Sequence, residues 1–275
     1  MQAILAPIPA LNRPQCGRVD RAIIAAAGSD GAIHWNAMAL PKDTLQQLKR
    51  ASTATLTTQL FKRGLRNVYL QGVQRMSKAA DNLVGEAFTL RYIPAREDLD
   101  HVGVFEDPEH PQRKAIEVVP PGHVLVMDCR RDTRAASGGS ILLTRLRVRG
   151  AAGVVTDGGL RDSDTIADME FPVFGAGPSA PLNLAIHHAV DLNVPIACGG
   201  VAVFPGDIVV GDAEGVVIVP AHLAVEVARD ASEQEKLEVF ILQEVAGGRQ
   251  LHGTYPANAD TLARYRQWRE QQDKK

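Results

Sequence analysis

The alternation of short apolar runs with helical segments between residues 123 and 175 is the feature that most constrains the fold of this 275-residue chain. Apolar runs at residues 123–128, 152–156 and 172–175 have the length and composition of buried strands. Helical patterns at residues 141–149 and 165–170 separate these runs. Because strands joined through helices lie parallel in one sheet, this segment predicts an α/β fold.

The flanking segments extend this prediction. Residues 82–93 predict a further strand, and residues 194–220 predict a β-ribbon or small barrel-like layer. Leucines at helical spacing predict a helix over residues 41–64, and residues 221–247 predict a long helix. Residues 97–114 are polar and contain two prolines, a pattern typical of an exposed loop.

This pattern predicts an N-terminal extension of loop and short helix at residues 1–40, a main domain at residues 41–248 and a charged helical tail at residues 249–275. The net charge of −2 and the aromatic content of 5% argue against a nucleic-acid partner. No apolar run reaches the ~18–20 residues of a membrane span. Three widely spaced cysteines fit reduced thiols in a cytoplasmic protein.

The first candidate site is the loop Gly138-Gly139-Ser140, which opens a predicted helix. Backbone N–H groups at a helix N-terminus carry partial positive charge, so they suit a carboxylate or a phosphate. The alternative is a glycine turn in which Ser140 only caps the helix.

The second candidate site is the turn at residues 157–162, which follows a predicted buried strand. In open α/β sheets, ligands bind just beyond the carboxyl ends of strands. Arg161 offers a planar fork for a carboxylate or enolate oxygen, and Asp162 offers a hard oxygen ligand for Mg²⁺ or Mn²⁺. The alternative is a salt-bridged turn followed by a capped helix.

The lysines, histidines and cysteines give weaker indications of a functional site. No lysine lies between Lys114 and Lys236, so carbonyl chemistry at these loops would have to be metal-assisted and not based on a Schiff base. His187 and His188 are adjacent, and on a helix they would diverge too far to chelate one metal. Cys129 and Cys198 have no histidine at catalytic spacing, which favours buried thiols.

Together, these segments resemble the family that contains class II 4-hydroxy-4-methyl-2-oxoglutarate aldolases and the regulator of ribonuclease E activity A, the RraA-like family. The resemblance covers about residues 43–248. The pieces that carry it are the strand at 82–91, Gly139, the runs 150–158 (GAAGVVTDG) and 160–162 (LRD), and the later runs 204–207 (FPGD) and 212–216 (DAEGV).

The resemblance implies an α/β/β sandwich of the swivelling type, here with N- and C-terminal helical extensions. It implies homotrimers or homohexamers with pockets at subunit boundaries, a divalent metal (Mg²⁺ or Mn²⁺) and a small 2-oxo acid substrate. By position, Gly139, Ser140, Ile141 and Leu142 would line the substrate. Arg161 would contact the substrate and Asp162 would bind the metal. Glu235 or Glu238 of a neighbouring subunit would join the metal's outer shell.

Ser140 departs from the family pattern. Active aldolases of this family usually carry Asp or Glu immediately after the glycine that aligns with Gly139. Serine neither holds negative charge at pH 7 nor accepts a proton readily. Retro-aldol cleavage must remove a hydroxyl proton, whereas β-decarboxylation of an oxaloacetate-like acid needs no such step. The substitution therefore predicts that decarboxylation survives better than aldol cleavage.

Three functions follow from the resemblance and stay open at this point. The leading one is a metal-dependent carbon–carbon lyase, an aldolase or an oxaloacetate-type decarboxylase, that works through an enolate. The second is a non-catalytic protein that binds and regulates a ribonuclease. The third is hydration or dehydration of a sugar-derived 2-oxo acid. Methyl transfer to a quinone is disfavoured, because the chain lacks a glycine-rich cofactor fingerprint.

Overall fold

The computed structural model of the chain describes residues 40–79 and 81–272. Its helices are α1 (Lys42–Arg50), α2 (Thr53–Lys62), α3 (Pro111–Val118), α4 (Ser140–Val148), α5 (Ser163–Ala167), α6 (Ala224–Ala246) and α7 (Ala259–Gln272). Its strands are β1 (Gln74–Arg75), β2 (Leu83–Pro94), β3 (His123–Asp128), β4 (Ala136–Gly138), β5 (Gly153–Thr156), β6 (Gly159–Leu160), β7 (Val173–Gly175), β8 (His187–Leu192), β9 (Ile196–Cys198), β10 (Val201–Val203), β11 (Ile208–Gly211) and β12 (Val216–Val219).

An eight-stranded mixed sheet lies at the centre of the fold, in the order β1-β7-β5-β3-β2-β11-β12, with β8 also paired to β2. Strands β2, β3, β5 and β7 are parallel, with Leu125 of β3 opposite Phe88 on one side and Val154 on the other. The outer strands β1, β8, β11 and β12 pair antiparallel. Two small sheets, β9-β10 and β4-β6, accompany this sheet.

Side chains on the two faces of β3 pack into different layers, which defines the architecture. Leu125 and Met127 pack in one apolar cluster with residues of α3 and α4. Val124 and Val126 point the other way, into a cluster with the β9-β10 hairpin. Because successive strand residues face opposite sides, one apolar run supplies both cores. The fold is thus an α/β/β sandwich, and the predicted α/β class is confirmed.

A third apolar cluster joins α1, α2 and α6 to the strands β11 and β12. Beyond it, α7 packs on the end of α6 through the Phe240 ring, which lies 5.8 Å from the Tyr265 ring and 5.7 Å from the Trp268 ring. In residues 40–79 and 81–272, no helix has both the length and the apolar character to cross a membrane.

Most predicted elements are confirmed to within a few residues. They are the strands at 82–93, 123–128, 152–156 and 172–175, the helices at 141–149, 165–170 and 221–247, and the helix in the C-terminal tail. The predicted extension at residues 1–40 lies outside the described residues except for its last residue, so it stays a prediction.

One loop prediction and one helix prediction were wrong in informative ways. The loop predicted at residues 97–114 contains the start of α3, because Pro111 occupies the first turn of that helix, where proline is well tolerated. The single helix predicted at residues 41–64 is two helices. The break lies at Ser52, whose hydroxyl caps α2 by accepting a hydrogen bond from the backbone N–H of Thr55 at 3.1 Å.

Two further corrections concern strands. The predicted ribbon at residues 194–220 is divided, because only β9 and β10 form a separate hairpin, whereas β11 and β12 extend the central sheet. His187 and His188 lie on β8 and not on a helix. They still diverge, because neighbouring strand residues point to opposite faces. His187 is buried, and His188 pairs with Asp100 at 2.8 Å.

Candidate functional site

A short parallel pairing brings the two predicted loops together. Strands β4 and β6 align Gly138 with Leu160, and the backbone N–H of Arg161 donates to the carbonyl of Gly138 at 3.1 Å. The residues that immediately follow each strand therefore lie side by side. Gly139 and Ser140 come from the first loop, and Arg161 and Asp162 come from the second.

Gly139 allows the two loops to approach this closely. A Cβ atom at this position would lie 2.6 Å from Oδ2 of Asp162 and 2.9 Å from Cγ of Arg161. The backbone of Gly139 is extended, with φ at −147°, so the requirement is for space and not for an unusual conformation. Any side chain here would displace the two residues that carry the predicted chemistry.

Ser140 and Asp162 are joined directly. The backbone N–H and the hydroxyl of Ser140 donate to Oδ2 of Asp162 at 2.9 Å and 3.0 Å. These two hydrogen bonds lower the pKa of the Asp162 carboxyl. Asp162 also adopts a left-handed conformation with φ at 61°, which aspartate tolerates better than most residues. The carboxylate is thus held ionised and in one orientation.

The predicted helix cap was wrong by one residue. Gly139 is the N-cap of α4, and Ser140 is its first helical residue. The hydroxyl of Ser140 therefore binds Asp162 across the site and does not cap its own helix. A serine before an apolar helical segment does not by itself indicate a hydrogen bond to a residue in another loop.

A cleft of about 120 Å³ opens beside this pair. It is lined by Gln112, Arg113, Ala136, Gly138, Gly139, Ile141, Leu142, Arg161, Asp162, Leu182 and Asn183. Of the predicted substrate-contacting residues, Gly139, Ile141, Leu142 and Arg161 all line it, and Ser140 adjoins it through its bonds to Asp162.

The wall formed by α3 and the loop before β8 is absent from the sequence prediction. Gln112 and Arg113 come from α3, and Asn183 begins a short 3-10 helix. Burial is the largest influence on the pKa of Arg113 and lowers it, and the neighbouring positive charge of Arg161 lowers it further. The Arg113 guanidinium lies over the Phe105 ring, 4.1 Å from its centre.

Glu235 and Glu238 do not line this cleft within one chain. Glu235 accepts hydrogen bonds from the backbone N–H of Ser52 at 2.9 Å and from the Ser52 hydroxyl at 2.8 Å. Glu238 accepts from the side-chain amide of Gln234 at 2.8 Å. Their expected contribution to a neighbouring subunit's metal shell stays a prediction.

The described residues contain no group of three or more histidine, cysteine or acidic side chains arranged to hold a metal. Asp162 is the one carboxylate among the residues that line the cleft, and its Oδ2 atom, but not its Oδ1 atom, accepts from Ser140. Mg²⁺ commonly keeps several water molecules and binds through one or two carboxylates. One ionised carboxylate beside a cleft fits a cation that is held otherwise by water and substrate.

The two described cysteines are structural. Cys129 and Cys198 are buried free thiols. Burial raises the pKa of Cys129 to about 12 and raises that of Cys198 well above its ordinary value. Because the thiolate is the reactive form, neither is a nucleophile at neutral pH. The prediction of buried thiols is confirmed.

Comparison with known proteins finds a matching family and relatives whose names agree with that family. The sequence pattern of a family described as RraA-like, Aldolase/RraA, matches residues 53–218. A protein of Halalkalibacterium halodurans, provisionally named 4-hydroxy-4-methyl-2-oxoglutarate aldolase, is 35% identical over 122 residues, which are 44% of this chain and 58% of that protein. A protein of Aromatoleum aromaticum with the same provisional name is 38% identical over 121 residues, covering 44% of this chain and 74% of that protein.

A solved structure supports the same relationship. Streptomyces coelicolor RraAS2, described as an unusual member of the RNase ES inhibitor RraA protein family, superposes with a TM-score of 0.64. It is 30% identical, and the match covers 73% of this chain and 96% of that chain. The matched part of this chain spans little more than half the length of the Halalkalibacterium relative.

Proposed function

Because this chain belongs to the RraA-like (Aldolase/RraA) family, we propose that it is a divalent-metal-dependent carbon–carbon lyase that acts on a small 2-oxo acid. Relatives at 35% and 38% identity carry aldolase names, which supports lyase-type chemistry at the level of the family. The observation that carries the proposal is the meeting of Arg161, an ionised Asp162 and the start of α4 at one cleft.

The start of α4 suits the carboxylate of a 2-oxo acid. The first N–H groups of a helix have no acceptor within the helix. Asp162 takes the N–H of Ser140, which leaves those of Ile141 and Leu142 for an anion. The positive end of the helix dipole adds to this attraction. A substrate carboxylate bound here would orient its keto group toward the guanidinium of Arg161.

Asp162 would hold Mg²⁺ or Mn²⁺, and the bound cation would supply polarisation of the keto group. Ser140 fixes the orientation of Asp162 through two hydrogen bonds and keeps its carboxyl deprotonated. Arg161, whose side chain is 44% exposed, would donate to the enolate oxygen that develops as the carbon–carbon bond breaks.

The environment of Ser140 favours decarboxylation over aldol cleavage. Its hydroxyl proton is directed at Asp162, so the group acts as a donor and not as a base. Retro-aldol cleavage needs a base to remove a hydroxyl proton, whereas loss of a β-carboxylate as CO₂ does not. We therefore propose that oxaloacetate-type acids are turned over faster than 4-hydroxy-2-oxo acids.

The test measures Mg²⁺-dependent loss of oxaloacetate and cleavage of 4-hydroxy-4-methyl-2-oxoglutarate by the purified protein, each corrected for the rate with Mg²⁺ alone. Arg161→Ala should reduce turnover at least about 100-fold, the usual cost of removing one donor to a developing oxyanion. The matched control is Arg147→Ala, which removes an exposed arginine of α4 and should leave turnover unchanged.

Two outcomes would contradict parts of this proposal. Faster cleavage of the aldol substrate than of oxaloacetate would overturn the argument from Ser140. Turnover that persists in Arg161→Ala, or no turnover of any 2-oxo acid tested, would overturn the assignment as a lyase at this cleft.

A binding protein is the second candidate function. Two observations favour it: serine stands where the resemblance implies an acid, and the structure of RraAS2, from a family described by its inhibition of a ribonuclease, is similar over 73% of the chain. Capture of a purified ribonuclease of the E type by this protein, with inhibition of RNA cleavage and no turnover of 2-oxo acids, would support that function over the lyase.

A further inference from the structure

Strand β4 contains one residue more than its pairing with β6 requires. Ala136 aligns with Gly159, and the next aligned pair is Gly138 with Leu160, so Ser137 is an extra residue that forms a β-bulge. A bulge bends the strand that carries it and changes the direction of the residues that follow. Here those residues lead directly into α4, whose start forms one side of the cleft.

Buried side chains hold this bulge through both the hydroxyl and the backbone carbonyl of Ser137. The hydroxyl donates to the carbonyl of Gly159 on β6 at 3.0 Å and lies 3.0 Å from the hydroxyl of Thr156. The carbonyl accepts from the side-chain amide of Gln112, on α3, at 2.8 Å and lies 3.4 Å from the hydroxyl of Tyr92. Because Ser137 is fully buried, water does not replace these hydrogen bonds when one of them is lost.

Gln112 is a costly residue at this position if its side chain only fills space. It is 2% exposed, and its Oε1 atom has no hydrogen-bond partner among the residues that the structure describes. An apolar side chain of the same length would avoid the cost of that unpaired acceptor. What glutamine supplies is the hydrogen bond from its amide to the carbonyl of Ser137.

From these contacts we infer that Gln112 is a positioning residue of the cleft. Its hydrogen bond fixes the carbonyl of Ser137, and with it the direction in which β4 enters α4. Ser140, the first residue of α4, is thereby placed where it binds Asp162. The inference rests on the proposed function only for what the cleft binds, because the positioning itself concerns the backbone of this chain.

Three backbone hydrogen bonds report on this positioning, because each involves a residue that follows the bulge. A shift of the bulge would weaken these three bonds locally, whereas a general loss of stability would act throughout the chain. They run from the N–H of Ser140 to Oδ2 of Asp162 at 2.9 Å, from the N–H of Leu143 to the carbonyl of Gly139 at 3.2 Å, and from the N–H of Arg161 to the carbonyl of Gly138 at 3.1 Å.

The first test is amide hydrogen exchange of the full chain, measured by mass spectrometry. Gln112→Met keeps the length of the side chain and removes the amide donor. Ile116→Val is the matched control, because it removes a buried methyl group one turn further along α3 and affects no hydrogen bond of the bulge. We expect exchange at least about tenfold faster in peptides that contain Ser140, Leu143 and Arg161 in Gln112→Met, and no such change in the control.

The second test is calorimetric titration of the same proteins with pyruvate in Mg²⁺. Gln112→Met should weaken pyruvate binding about tenfold, and the control should change it less than about twofold. Ser137→Ala removes the hydrogen bond to Gly159 and should act in the same direction in both tests. This second variant tests the bulge independently if Gln112→Met folds poorly.

The two tests separate this inference from the proposed function. Faster exchange in both Gln112→Met and the control, or in neither, would overturn the assignment of Gln112 and leave the lyase proposal in place. Unchanged pyruvate affinity in Gln112→Met, despite faster exchange at the three bonds, would also overturn it. Failure of the wild-type protein to bind pyruvate would overturn the proposed function, whereas faster exchange confined to the three bonds would still support the positioning role.

Discussion

Asp157 and Asp162 are five residues apart in one turn, yet they occupy opposite environments. Asp157 is 2% exposed, and its carboxylate accepts backbone N–H bonds from Cys129 at 2.7 Å, Arg131 at 3.1 Å and Gly199 at 3.0 Å. Asp162 has a side chain that is 38% exposed, and its Oδ2 atom accepts from Ser140 and lies 4.0 Å from Nε of Arg161.

The pKa shifts of the two aspartates differ in sign as well. Burial, the largest influence, raises the pKa of Asp157 despite its three backbone bonds, whereas the bonds from Ser140 lower the pKa of Asp162. Asp157 connects the loops that follow β3, β5 and β9, and so it is a structural residue. Asp162 faces the cleft and is available to a ligand. Identical side chains in one motif thus separate into a stabilising role and a proposed chemical role.

The largest expected effect is on stability at Asp157. Asp157→Ala would leave three backbone N–H groups without their acceptor, and the two in buried hydrogen bonds, those of Cys129 and Gly199, are each worth about 1–3 kcal/mol. We expect the free energy of unfolding to fall by about 3 kcal/mol or more, against less than about 1 kcal/mol for Asp162→Ala, because Asp162 is exposed. Urea unfolding followed by circular dichroism measures both. Similar losses of unfolding free energy in the two variants would contradict the assignment of Asp157, and not Asp162, as a structural residue.

The next largest effect is expected at Gly139, which lies against Asp162 and not against Asp157. Gly139→Ala would place a Cβ within 2.6 Å of the Asp162 carboxylate and displace it. We expect affinity for Mg²⁺ with a 2-oxo acid to fall about tenfold, which corresponds to about 1.4 kcal/mol, while the urea midpoint changes little. Gly138→Ala is the comparison variant, because it also adds a methyl group at the cleft, but its Cβ would meet Leu160 at 3.8 Å and would not touch Asp162. Equal effects of the two substitutions would contradict the steric argument.

The smallest expected effect is the pH dependence of stability. Asp162 has a lowered pKa, so it stabilises the fold above its ordinary pKa of about 4, and this contribution is lost as the pH falls through the lowered value. Asp157 has a raised pKa, so the native state holds that proton more tightly and stability falls as the pH rises from about 4 through the raised value.

Urea unfolding between pH 3 and pH 6 should therefore separate the two aspartates. Relative to wild type, Asp162→Asn should lose less than about 1 kcal/mol at pH 6 and nothing at the lowest pH. The loss of stability in Asp157→Asn relative to wild type should instead become smaller as the pH rises, because only the wild-type protein pays for ionising a carboxyl with a raised pKa. Parallel pH profiles for both variants would show that the two carboxyls are not in opposite environments.

The Gly139 and Arg161 sides of the cleft were predictable because their signals are local. The turn at residues 157–162 directly follows the apolar run at 152–156, where a ligand is expected, and the glycine loop directly precedes a helical pattern. The short strands β4 and β6 that pair these two loops carry no such signal and were not predicted. Nothing local distinguishes Asp157 from Asp162, because burial of the first depends on loops near Cys129 and Gly199, which are distant in sequence.

The part of the cleft formed by α3 and Asn183 was not predictable from local pattern. Pro111 suggested a loop although it begins α3, so the prediction left Gln112 and Arg113 without a fixed position. Asn183 lies in a three-residue 3-10 helix without hydrophobic periodicity. The joining of this helix and α3 at the cleft is a tertiary contact between segments about 70 residues apart, which periodicity cannot report.

The most direct test of the central claim is a crystal structure of the protein soaked with Mg²⁺ and pyruvate. We predict pyruvate in the cleft, with its carboxylate on the N–H groups of Ile141 and Leu142, its keto oxygen facing Arg161, and the cation beside Asp162. An empty cleft under saturating ligand, or a cation and pyruvate bound away from Arg161 and Asp162, would contradict the account.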